Sequence, residues 1–313
     1  MSRILVQSDI HQRHIRAQKL LDTISFDQCI LLGDYFDNFG DNYYDANNTA
    51  IWLRDFVLPD SRIIPLVGNH CAHYFWPSNP TFRCSGYTDM KRDAILKELS
   101  PAHIAKFKFF HIDQGFLFTH AGLDNRIWKD LKLNFEEKGN KTELEFVDEV
   151  LNYWVNHTKK LISTNHYCSL LGAGWDRGGS QPIGGINWAD FGNLAPISGI
   201  NQIVGHTPHK VPEVKIQKRG GSVCVKTIFE YYDHLELSPS CKDPLSINYD
   251  LDTHSNHYMI IEDGKVEIWD YANNMNVRKL INYSIPESPM SEHSGLPVVS
   301  PGAWEEYKPE KAF

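Results

Sequence analysis

The sequence predicts an α/β fold, and three observations carry that expectation. Short apolar runs alternate with stretches whose apolar residues recur at helical spacing. The second and third of these runs stop at a glycine, which marks the turn off a strand. The polar residues that follow the runs are Asp, His and Asn, the side chains that carry metal chemistry.

The elements follow in order. Ile4-Leu5-Val6 is a strand-like run, and Ala17, Leu20, Leu21 and Ile24 form a helical stripe after it. Cys29-Ile30-Leu31-Leu32 stops at Gly33. Ala50, Leu53 and Val57 mark a second helix that Pro59 ends. Ile63-Ile64-Pro65-Leu66-Val67 stops at Gly68. Strand, helix, strand, helix, strand implies βαβ units with parallel pairing. An insertion over residues 71–105 holds the aromatic group Tyr74, Phe75 and Trp76, best read as packing, and then a helix near Met90–Leu99. Lys106–Ile112 and Gly115–His120 read as a hairpin. Thr142 and Glu145 have capping-box spacing at the head of a helix carrying Leu144, Val147, Leu151 and Trp154. Residues 172–200 read as a long glycine-rich loop. Strand-like sequence returns at Gln202-Ile203-Val204 and includes a hairpin turning at Asp263-Gly264. The expected organisation is one domain over residues 1–283 and a Pro-rich tail over 284–313.

Composition excludes several classes. The 313 residues carry 31 Lys+Arg against 39 Asp+Glu, a formal net charge of −8, the wrong sign for a general nucleic-acid surface. No apolar stretch approaches the ~20 residues that span a bilayer, so no membrane partner is expected. The N-terminus turns polar after three apolar residues and does not match a signal peptide. Six dispersed cysteines include no C-x-x-C pair, which points to a reducing cytoplasm.

The chemistry lies in five short pieces. These are Asp9-Ile10-His11, Gly33-Asp34-Tyr35-Phe36-Asp37, Gly68-Asn69-His70-Cys71, His120-Ala121-Gly122 and Gly205-His206-Thr207-Pro208-His209. Each follows a strand-like segment, where open α/β sheets bind ligands. Together they offer carboxylate, imidazole and amide donors without a thiolate, a set suited to two divalent ions such as manganese, iron or zinc.

In order and type the five pieces resemble the motifs of the calcineurin-like metallophosphoesterase superfamily: D-x-H, G-D-x-x-D, G-N-H-D/E, H and G-H-x-H. The second and fourth look most like its phosphoprotein phosphatase branch. The resemblance spans Asp9 to His206 and implies a four-layer β-sandwich flanked by helices. It implies two divalent cofactor ions, manganese first, with Asp9 and His11 on one, Asp34 bridging both, and Asn69, His120 and His206 on the other. His70 would be the general acid, oriented by Asp37; an adjacent carboxylate favours the charged, donating imidazole. Two divalent ions less two carboxylates leave a charge that matches a phosphate dianion.

The sequence departs from that pattern in three places. Asn38 stands where the branch has Arg, which leaves Arg177, in Asp176-Arg177-Gly178, as the candidate phosphate clamp. Cys71 replaces an acidic residue and reads as a small supporting substitute. Pro208 occupies a ligand position, so His209 is only an additional candidate ligand. His14, His73, His103, His254 and His257 read as ordinary histidines. The function implied is a dinuclear metal-dependent phosphoesterase acting on a phosphorylated substrate. It is expected to be a phosphomonoesterase of the Ser/Thr protein phosphatase type with a metal-bridging hydroxide as nucleophile. A phosphodiesterase or nucleotide hydrolase of the diadenosine polyphosphate type, on the same metals, is the alternative.

Overall fold

A computed structural model describes residues 2–133, 135, 142–217, 223–227, 246–254, 256–263, 265–271 and 275–276. The Pro-rich tail and Gly264 lie outside the described residues. Twelve strands are described in two six-stranded mixed sheets. The first sheet contains β1 (Arg3–Gln7), β2 (Gln28–Leu31), β3 (Ile63–Pro65), β10 (His257–Glu262), β11 (Lys265–Asp270) and β12 (Met275–Asn276), in the order β12-β11-β10-β1-β2-β3. The second contains β4 (Phe110–Asp113), β5 (Phe116–Thr119), β6 (Asn201–Val204), β7 (Glu213–Gln217), β8 (Val223–Thr227) and β9 (Ser246–Asp250), in the order β4-β5-β6-β9-β7-β8. Among the described strands, parallel pairs join β1, β2 and β3 in one sheet and β5, β6 and β9 in the other.

The two-residue period of the strands sorts the core into layers. Ile4, Val6, Ile30, Leu32, Ile64, Leu66, Met259 and Ile261 point from the first sheet into an apolar layer shared with Phe116, Phe118, Ile203, Val214, Ile216 and Tyr249 of the second. The alternate residues Leu5, Cys29, Leu31, Ile63, Tyr258 and Ile260 face the other way, into a larger core with the helices. Those helices are α1 (His14–Thr23), α2 (Tyr43–Trp52), α3 (Asn69–Phe75), α4 (Asp89–Glu98), α5 (Pro101–Ile104), α6 (Asn125–Leu131) and α7 (Glu143–Ser163). Helices outside a pair of facing sheets give the layered α/β sandwich expected. No helix among the described residues is long and apolar enough to cross a membrane.

Local signals account for most boundaries. Thr142 caps α7 through the Glu145 amide, and Glu145 returns a carboxylate to the Thr142 amide. α2 begins earlier than its apolar stripe, at a capping box formed by Asn42 and Asp45, and runs into a wider helical turn over Leu53–Val57. The first half of the expected hairpin is shorter than its apolar run. Lys108 hydrogen-bonds to Pro65 and Val67, so the chain crosses from the edge of the first sheet before β4 pairs with β5. The segment over 172–200 is a loop with one short 3-10 turn, Trp175–Arg177. The late hairpin is present as β10 and β11.

The layer between the sheets is closed to solvent at Phe118. Phe118→Ala is expected to lower the unfolding free energy by about 3–5 kcal/mol in urea denaturation, and a loss below about 1 kcal/mol would show that the layer is not closely packed there.

Candidate metal centre

All six parallel strands deliver a polar side chain beyond their carboxyl ends. Asp9 follows β1, Asp34 follows β2 and Asn69 follows β3. From the other sheet, His120 follows β5, His206 follows β6 and Asp252 follows β9. Two rims of parallel strands therefore meet over one place, where α/β sheets bind ligands. The backbone is turned to aim these groups: φ is positive at Asp9 (47°), His11 (41°), Asp34 (50°), Asp37 (64°) and His206 (74°). A non-glycine residue there costs energy that packing must offset, and such residues cluster at functional sites. Glycine opens the remaining space. A Cβ at Gly68 would fall 2.1 Å from Asp34 Oδ1, and one at Gly205 would fall 1.9 Å from Ser8 Oγ and 2.2 Å from Asp9 Oδ2.

Each carboxylate is gripped by neighbouring donors and also faces imidazole nitrogens. The His70 amide donates to Asp34 Oδ1 at 2.8 Å, leaving Oδ2 3.3 Å from His120 Nε2 and 3.9 Å from His11 Nε2. Ser8 Oγ and the His206 amide donate to Asp9 Oδ2, while Asp9 Oδ1 stands 4.0 Å from His11 Nε2. The imidazoles are set the same way. His11 Nδ1 is 2.8 Å from the Phe36 carbonyl and His120 Nδ1 is 3.0 Å from the Leu32 carbonyl. Donation to those carbonyls places the N–H on Nδ1 and the Nε2 lone pair toward the carboxylates, the outer arrangement of metal-binding histidines. Asn69 Oδ1 lies 2.8 Å from His120 Nε2 and 2.9 Å from His206 Nδ1, and His206 Nε2 is buried without a hydrogen-bond partner.

These donors form two clusters, Asp9–His11–Asp34 and Asp34–His120–His206, with Asp34 in both. Bonds of about 2.1 Å put two ligands of one ion at most about 4.2 Å apart. The separations of 3.3, 3.9 and 4.0 Å meet that limit, so the residues present fit a pair of divalent ions. The electrostatics agree. Burial pushes the Asp9 carboxyl well up, and Asp252 and Asp34 push it further. Burial would raise Asp34 too, but His120, His70 and His11 outweigh it and hold Asp34 well below the usual carboxylate range. Burial, His120 and Arg177 hold His206 neutral, the form that binds metal.

His70 and Asp37 sit beside the clusters, with His70 Nδ1 3.0 Å from Asp37 Oδ2. Burial disfavours the imidazolium, but Asp34 and the hydrogen bond with Asp37 raise His70 well above its ordinary value. Around Asp37 stand residues that sequence reasoning missed. His73 Nε2 is 2.8 Å from Oδ2, while Tyr74 Oη at 2.6 Å and Lys91 Nζ at 2.7 Å donate to Oδ1. His73, read above as ordinary, and Tyr74, read as packing, therefore both serve this carboxylate. Their spacing after His70, i+3 and i+4 on α3, was the available signal. Lys91 comes from α4 and is brought in by tertiary packing alone. Cys84 was also missed; its Sγ lies 3.5 Å from His70 Nε2 and accepts from Asn69 Nδ2 at 3.3 Å.

The clusters open into a cleft of about 710 Å³ lined by His11, Asp34, Asn69, His70, His206 and Asp252. Arg177 lines it as well, braced by Asp190 at 2.9 Å, and so does Asn38. His209 is not brought into either cluster; it pairs with Glu213 at 3.3 Å and Asp250 at 3.4 Å. Cys71 is buried beneath the Asp34 turn, where its Sγ accepts from the Tyr35 amide at 3.5 Å.

Comparison with known proteins places this geometry. Among solved structures, the chain is similar to a cold-active protein-tyrosine phosphatase from a psychrophilic Shewanella species. Identity is 12%, the TM-score is 0.50, and the match covers 88% of this chain and 80% of that one. A point mutant of a cold-active protein-tyrosine phosphatase matches with the same identity and coverage at a TM-score of 0.51. A protein serine/threonine phosphatase from Saccharomyces cerevisiae matches at 10% identity and a TM-score of 0.37, over 86% of this chain and 80% of that one. At these identities the first two likenesses show the fold. No curated protein matches by sequence. The model of the calcineurin-like phosphoesterases matches residues 2–210, well over half of the length, and the chain therefore belongs to the calcineurin-like phosphoesterase family.

Proposed function

We propose that this metal-dependent phosphoesterase is a phosphomonoesterase of the Ser/Thr protein phosphatase mechanistic type, with manganese as its preferred metal. The observation that carries the reading is Asp34, shared by both donor clusters and one turn from the His70–Asp37 pair. Asp9, His11 and Asp34 would hold one ion, and Asp34, Asn69, His120 and His206 the other. When bound, the ions would stabilise the phosphoryl oxygens and supply a water acidic enough to act as hydroxide near neutral pH.

The chain's own groups divide the remaining work. Asp37 takes the Nδ1 proton of His70 in a hydrogen bond, which orients the ring and leaves Nε2 to protonate the departing alkoxide. Tyr74, His73 and Lys91 fix Asp37 from three sides, so little reorganisation is needed when the proton moves. Arg177, held by Asp190, would offer its remaining N–H groups to the phosphoryl oxygens. A cytoplasmic location belongs to the same reading, since Cys29, Cys71, Cys84 and Cys168 are unpaired.

Removal of metal by chelation should abolish hydrolysis of p-nitrophenyl phosphate, and manganese should restore it. Manganese at a hundred times its dissociation constant should also stabilise the fold by about 2.7 kcal/mol in thermal melts. Asp34→Asn should remove both effects; activity within a few-fold of the parent in that variant would overturn the reading. His70→Asn should slow phosphoserine hydrolysis about 10²–10⁴-fold. The loss on p-nitrophenyl phosphate should be much smaller, because that leaving group departs without a proton. Equal losses on the two substrates would remove His70 from the role of general acid.

A further inference from the structure

We propose that the 71–105 segment builds a second subsite, adjoining the metal cleft, that takes the aromatic ring of an aryl phosphomonoester's leaving group. A separate cavity of about 480 Å³ lies beside the cleft, walled by Trp76, Phe82 and Tyr87. Arg83 and Cys84 line both cavities, so the two meet at these residues. The junction is also where the reaction would release its product. The leaving oxygen has to sit at His70 Nε2, and Cys84 Sγ is 3.5 Å from that atom. A substituent on the oxygen therefore emerges at Cys84 and enters the aromatic-walled cavity.

The walls suit a flat ring. Trp76 is braced by Phe82 and Phe109, at ring-centre distances of 5.4 and 5.8 Å, and Tyr87 stacks on Tyr74 at 5.4 Å. Trp76 and Tyr87 remain half-exposed, with ring surface left to offer. His73, 2% exposed, backs the same cavity, with its ring centre 5.5 Å from that of Tyr87. Arg83, exposed at the junction, makes no ion pair or hydrogen bond among the described residues, and a guanidinium beside an aromatic ring can stack on its face. An alkyl leaving group such as serine would leave this surface unused.

The inference rests on the phosphomonoesterase reading, and its test separates the two. Metal-loaded full-length protein is assayed with benzylphosphonate and ethylphosphonate as competitive inhibitors, a pair that carries no difference in leaving-group reactivity. Burial of one ring predicts that benzylphosphonate binds at least about tenfold more tightly. The ratio should collapse toward one in Trp76→Leu and in Tyr87→Leu, and phosphotyrosine should exceed phosphoserine in kcat/KM within one peptide sequence. Equal inhibition of the parent protein by the two phosphonates would overturn the aromatic subsite, whether or not the variants fold, and so would a ratio unchanged in both folded variants. Absence of any phosphoester hydrolysis or inhibition by inorganic phosphate would instead overturn the phosphomonoesterase reading itself.

Discussion

The structure depends on burying Asp34. A carboxylate with 1% exposure, close to a second buried carboxylate at Asp9, is costly in a protein interior unless positive charge and hydrogen bonds surround it. Here one oxygen is met by the amide of His70 and the other faces the Nε2 edges of His11 and His120. Those ring nitrogens present lone pairs if their Nδ1 atoms donate to Phe36 and Leu32, so lone pairs and carboxylate oxygens would converge on one another. Concentrated cations make such a set favourable, so the residues that enclose Asp34 are also the ones that would hold divalent ions.

That constraint propagates into the backbone. To aim side chains from strand ends back over the sheet edge, Asp9, His11, Asp34 and His206 adopt positive φ, and Gly68 and Gly205 pass so close to the carboxylates that no Cβ would fit. The interlayer core of Ile4, Ile30, Phe118 and Ile203 holds both sheets so that their rims coincide. Packing energy in that layer offsets the strain at the rim, so stability and site geometry share one origin.

Much of this was legible in the sequence because strand ends announce themselves. An apolar run that stops at Gly33 or Gly68, followed at once by Asp34 or Asn69, fixes both a boundary and a direction, whereas the uninterrupted run Ile4-Leu5-Val6 did not reveal that its residues face two different cores. Contacts made between distant elements were not legible. Lys91 meets Asp37 across 54 positions, and nothing local distinguishes it from any other helical lysine. Asp252 and Cys84 have the same character: no motif surrounds them, and only the packing of β9 and of the 71–105 segment brings them to the cleft. His73 and Tyr74 lie between. Their helical spacing from His70 puts them on one face, but only the structure shows that face turned toward Asp37.

The 71–105 segment links proton donation to the shape of the cleft. α3 starts at Asn69 and His70, carries His73 and Tyr74 to Asp37, and ends at Phe75 with Trp76 as its C-cap; the chain then returns through Cys84 beside His70 and Lys91 against Asp37. One stretch of chain therefore fixes the orienting carboxylate of the donor and also forms the wall that a leaving group would meet. Any movement that reshaped the wall would disturb the hydrogen bonds of Asp37, since Tyr87 stacks directly on Tyr74, whose hydroxyl binds that carboxylate. Under the proposed reading, choice of leaving group and placement of its proton would be mechanically coupled, in a region separate from the strand-end residues that would hold the metals.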